Sequence, residues 1–89
     1  MSDCKSCDLE TLYYDLQKVT RDTARESFTA LFQRGCELLG LKTDDEIARA
    51  FDTSHPNANR WKNGRDIPPA ANLILSVLRD LVFAKFMGH

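Results

Sequence analysis

Apolar residues in this chain recur every three or four positions, and no stretch alternates for long. That spacing lines one face of an α-helix and argues against half-buried strands. The chain, 89 residues long, is therefore expected to be all-α and to form one domain, 1–89. Leu9, Leu12, Tyr13, Leu16 and Val19 give an apolar face to a first helix near 8–19. Thr20 to Asp22 is expected to break it. Thr23-Ala24-Arg25-Glu26 has the form of a capping box, with a hydroxyl for an orphan N–H and a Glu that can reach back. Phe28, Leu31, Phe32, Cys36 and Leu39 line the helix that follows. Gly40 stands where a left-handed C-cap residue is wanted.

A second capping box opens at Thr43-Asp44-Asp45-Glu46, and its three acids complement the positive end of a helix dipole. Ile47, Ala48 and Phe51 face inward, and that helix should stop near Asp52. Ser54 is the next N-cap, with Pro56 tolerated in the first turn because its missing N–H would be an orphan there. Ala58 and Trp61 supply apolar contacts, and Asn63-Gly64 ends the helix. Ile67-Pro68-Pro69 is a stiff connector to a last helix at about 70–86.

Composition removes several classes of function. No apolar run is long enough to cross a membrane, and Met1 to Cys7 lacks the apolar stretch of a signal peptide. A cytoplasmic protein without membrane partners is expected. Cys4-Lys5-Ser6-Cys7 has zinc-knuckle spacing, but a structural zinc needs about four ligands. Cys36, His55 and His89 offer no second paired spacing, so neither metal nor cofactor is expected. The odd number of cysteines does not suggest a secreted disulfide framework. No Ser or Cys has a convincing His-acid partner and no Gly-rich phosphate loop is present, so no enzyme and no small-molecule substrate are expected.

The formal net charge is −1, but its distribution is uneven. Residues 55–65 contain Arg60, Lys62 and Arg65 and no acid, whereas residues 1–54 hold eleven acids and seven bases. Screening makes local charge matter most, so a basic segment on an acidic body can still meet phosphate. A solvated charged loop would account for the same charges.

Two short helices joined by a tight turn, at 43–64, outline a helix-turn-helix. The second helix would present His55, Asn57, Asn59 and Arg60 to the DNA major groove. Asn pairs in bidentate fashion with adenine and Arg with guanine. Lys62, Asn63 and Arg65 follow where a phosphate backbone could lie. The stretch from Thr43 to Gly64 resembles the Cro/C1-type (XRE, lambda-repressor-like) helix-turn-helix family. Thr43, Glu46, Ala48, Ser54, Arg60, Trp61, Asn63 and Gly64 agree outright with that family's pattern, and Arg65 and Pro68 fit its continuation. The resemblance implies a lambda-repressor-like bundle of about five or six helices, here with an extra N-terminal helix. It also implies a core role for Trp61 and a bacterial or phage regulator, a repressor, that recognises an operator. Asp44 departs from the pattern, standing where the family often has a Gln that meets the DNA backbone.

The expected function is sequence-specific binding of double-stranded DNA through Thr43, Ser54, His55, Asn57, Asn59, Arg60, Lys62, Asn63 and Arg65. The alternative is a protein-interaction module on the same scaffold, an antitoxin or inhibitor; acids intruding from Asp44 and Asp45 would favour it. The last helix has too many apolar positions for one stripe. Ile74, Val77, Leu78 and Leu81 are expected to fill the core. Leu75, Val82, Phe83 and Phe86 would then form the interface of a homodimer, unless the first helix covers them.

Overall fold

The computed structural model describes residues 5–88. Five helices follow one another: α1 (Lys5–Gln17), α2 (Arg21–Leu39), α3 (Asp44–Phe51), α4 (His55–Lys62) and α5 (Ala71–Met87). No strand occurs among the described residues, so the all-α expectation holds. Cys4 and His89 lie outside the described residues, as does the Cys7 side chain, and the zinc-knuckle spacing with them. Among the described residues, no helix is long and apolar enough to cross a membrane.

α2 and α5 form the centre. Gly35 lets them approach closely, because a Cβ added there would lie 2.5 Å from Cδ1 of the fully buried Leu78. α1 packs on α5 and α2 and contributes Leu9, Leu12 and Leu16 to the core. On the other flank, α3 and α4 pack on each other, α4 on α2, and α3 on α5. An aromatic cluster joins these elements. Trp61 meets Phe28 and Phe32 edge-on, at centroid distances of 6.2 and 6.0 Å, and Phe32 meets Phe51 at 5.0 Å. Aromatic rings favour such tilted and edge-on contacts because their faces are negative and their edges positive.

The start of α2 differs from the sequence expectation. Its N-cap is Thr20, in extended conformation, and not Thr23. Thr20 Oγ1 accepts the Thr23 N–H at 3.2 Å, and Thr23 Oγ1 accepts the Thr20 N–H at 2.9 Å. Thr23 thus does the work usually given to Glu or Gln at the third helical position. Consequently α1 ends at Gln17, and Val19 lies between the helices.

The phase of α5 also differs. Its buried residues are Ala71, Leu75, Leu78 and Val82, while Val77 is exposed and Ile74 and Leu81 are only partly buried. Leu75 and Val82, expected at a dimer interface, are 2% and 0% exposed and belong to the core. Phe86 is half-buried and packs against that core. Phe83 remains 44% exposed, with its ring 5.2 Å from that of Tyr13 on α1. The proposed four-residue interface therefore does not exist as drawn. α5 is covered by α1 as well as α2, so its buried arc is centred elsewhere than on the single stripe inferred from spacing.

The caps of α3 and α4 form where the sequence places them. Thr43 Oγ1 accepts the Glu46 N–H at 3.2 Å, and the Glu46 carboxylate accepts the N–H groups of Lys42 and Thr43 at 2.8 and 3.1 Å. These bonds, Lys42's first, hold the Glu46 carboxyl below the usual carboxylate range. A carboxyl lowered on folding stabilises the fold above its unfolded pKa, near 4 on the usual scale. That contribution is lost as pH falls through the folded value. The melting temperature is expected to drop on acidification below about pH 4, and less steeply in Glu46→Gln. Equal acid dependence in the two proteins would contradict the capping role.

Candidate nucleic-acid interface

α3 and α4 are separated by Asp52, Thr53 and Ser54. Asp52 makes the turn with φ 53°, in the left-handed region that Asp tolerates better than most residues. Its backbone N–H and that of Thr53 return to carbonyls of α3, so the turn satisfies the helix end. Ser54 then starts α4 by accepting the Asn57 N–H at 3.4 Å. Ala58 and Trp61 are buried, which turns the remaining residues of α4 toward the surface.

Several expected site residues have structural work to do. Thr43 and Ser54 are caps. Asn63 closes α4, donating from Nδ2 to the Asn59 carbonyl at 2.9 Å. Gly64 has φ 70°, and the Arg65 N–H returns to the Arg60 carbonyl at 2.9 Å. Gln33, on α2, donates to the Lys62 carbonyl at 2.6 Å and fixes the end of α4 to the core. Nothing in the periodicity singles out Gln33, because its partner lies far along the chain.

The outward side chains of α4 form a connected polar surface. Asn57 donates to Thr53 Oγ1 at 3.2 Å and accepts from the Arg60 guanidinium at 2.8 Å. Both ends of its amide are thus engaged, and its geometry suits holding Arg60. Asn59 donates to Asp44 Oδ2 at 3.1 Å. The Lys62 ammonium stands 2.8 Å from Asp44 Oδ1. That oxygen is shielded from water and accepts no hydrogen bond of good geometry, so the Lys62 ammonium acts on it as an opposite charge in place of solvent. Lys62 first, and Asn59 second, hold the Asp44 carboxyl below the usual carboxylate range. His55 Nε2 lies 3.1 Å from Asp45 Oδ1, and Arg49 3.3 Å from the other oxygen of the same carboxylate.

α4 itself carries no acid, but two carboxylates from α3 reach onto it. Lys62 and His55 are engaged by them. Arg60 and Arg65 are exposed, and neither makes an ion pair among the described residues. The surface can therefore offer a braced guanidinium, a second cation just past the helix end, and amides with fixed orientation. An open groove of about 420 Å³ between α1 and α2 is lined by none of these residues. Elsewhere, burial pushes the Cys36 thiol up to about 12, which leaves it a protonated core group at neutral pH.

No family model matches the chain, and no curated protein and no solved structure matches it.

Proposed function

We propose that the protein binds double-stranded DNA in a sequence-specific manner, with α4 in the major groove and α3 bracing it. The observation that carries this reading is the outward face of α4. It bears no acid of its own, and Arg60 is presented there by Asn57 with Arg65 close behind. A guanidinium fork suits guanine or a phosphate, and an Asn amide suits adenine. The resemblance to the lambda-repressor-like helix-turn-helix extends the reading to a cytoplasmic transcriptional repressor, without catalysis or cofactor. Selection of bound duplexes from random DNA, at two salt concentrations, tests it. One enriched motif is expected, with weaker binding at higher salt. Failure to enrich any sequence at low salt would overturn the reading.

A second reading has a specific observation in its favour. Asp44 and Asp45 interrupt the positive surface and engage Lys62, Asn59 and His55. A protein-interaction module on this scaffold would use such a mixed surface. The same selection separates the two readings.

The proposed regulator is a homodimer, since one recognition helix reads few base pairs and paired helices read two half-sites. Leu73, Val77, Ala84 and Met87 are exposed and fall on one face of α5 at helical spacing. That face replaces the one inferred from sequence. Leu73→Glu combined with Val77→Glu is expected to give a folded monomer by sedimentation, with a melting temperature that no longer rises with protein concentration. A wild-type protein that sediments as a monomer at micromolar concentration would contradict the dimer.

A further inference from the structure

We propose that Asp44 sets what α4 offers to DNA, withdrawing Lys62 from phosphate contact and fixing the amide of Asn59. The inference rests on the DNA-binding reading and names which of its cations act. Asp44 is the first residue of α3, whose start is fixed by the Thr43–Glu46 capping box. Its carboxylate reaches across to α4, where Oδ1 meets Lys62 at 2.8 Å and Oδ2 meets Asn59 at 3.1 Å. The two charged side chains are 33% and 29% exposed, and Asp44 Oδ1 is itself shielded from water. Gln33 holds the Lys62 carbonyl, so the backbone from which the ammonium extends is anchored as well.

Two consequences follow from the chemistry of the pair. A lysine that neutralises a DNA phosphate releases a counterion and adds about 0.9 to the slope of log affinity against log salt. Lys62 already has its anion, and breaking the pair to reach a phosphate would leave a shielded carboxylate beside the DNA backbone. Lys62 is therefore silent in the salt dependence, although its sequence position suggests a phosphate contact. For Asn59, an ionised carboxylate only accepts hydrogen bonds. The amide must keep its NH₂ toward Asp44, which leaves Oδ1 as the free acceptor. In the major groove the matching donors are the exocyclic amino groups of adenine and cytosine.

The test compares wild type, Asp44→Asn and the double variant Asp44→Asn/Lys62→Met on one duplex enriched by the wild-type protein, over a salt series. Asp44→Asn keeps the shape of the side chain and the capping box, and thermal melts establish that it folds; Asp44→Gln serves if it does not. Release of Lys62 is expected to steepen the slope by about 0.9, and the double variant is expected to return to the wild-type slope. An Asp44→Asn slope equal to that of wild type would overturn the proposal, as would a steeper slope that persists in the double variant. If neither wild type nor Asp44→Asn binds any duplex at low salt, the DNA-binding reading falls, and the proposal with it.

Discussion

Trp61→Ala is expected to lower the stability of the fold by about 3–5 kcal/mol, the usual cost of emptying a large aromatic site. Trp61 is buried at the point where α4 meets α2, with its ring edge-on to Phe28 and Phe32. Phe32 in turn touches Phe51 on α3, so the cavity would open beneath both short helices. Neither of them is long enough to be stable alone, since isolated helices of this length are marginal in water. The loss should appear as a lower denaturant midpoint, with any loss of DNA binding following from it. A Trp61→Ala protein with the midpoint of its parent would show that α4 does not depend on this packing.

Arg60→Ala is expected to cost about 1–3 kcal/mol of binding to the enriched duplex, the range for a bidentate base contact. Arg60 is exposed, so the variant should melt like the parent. Asn57 acts through Arg60 in this account, because its carbonyl oxygen accepts from the guanidinium and its NH₂ is bonded to Thr53. Asn57→Ala should therefore weaken binding, while Asn57→Ala/Arg60→Ala should be no weaker than Arg60→Ala alone. Losses that add across the double-variant cycle would make Asn57 an independent contact.

What the sequence made legible is local. The capping box at Thr43, the cap at Ser54, the left-handed residue Gly40, the stop of α3 near Asp52, and the ends of α4 and α5 depend on neighbours in the chain. Each leaves its signal within a few positions. The missed features depend on distant partners or on absent atoms. Thr20 and Thr23 cap each other with two hydroxyls, a variant that a search for Glu or Gln at the third position passes over. Gly35 adds nothing to a hydrophobic pattern, yet its missing Cβ sets how near α2 comes to Leu78. The phase of α5 was hidden because apolar residues occupy more than one of its sides, and only the position of α1 decides which are covered.

The site shows the same division. The residue types on α4 were legible, as was the hazard of an acid at Asp44. Their pairing was not. Asp44 reaches Asn59 and Lys62, and Asp45 reaches His55, only once the turn has folded α4 back against α3. As a result the nine residues grouped by sequence separate by task. Thr43, Ser54 and Asn63 hold the helices, Asn57 holds Arg60, and Asp44 and Asp45 engage Lys62, Asn59 and His55. Arg60 and Arg65 are exposed and make no ion pair among the described residues.

The central claim is that α4 reads DNA, and the affinity of the Asn57→Ala/Asn59→Ala/Arg60→Ala variant tests it most directly. The measurement is titration of the wild-type-enriched duplex and of a random duplex with wild type and with the variant, at one salt concentration and with both proteins shown to be folded. The account predicts that the variant binds the enriched duplex no better than the random one, while wild type distinguishes them. A folded variant that keeps the wild-type preference for the enriched duplex would contradict it.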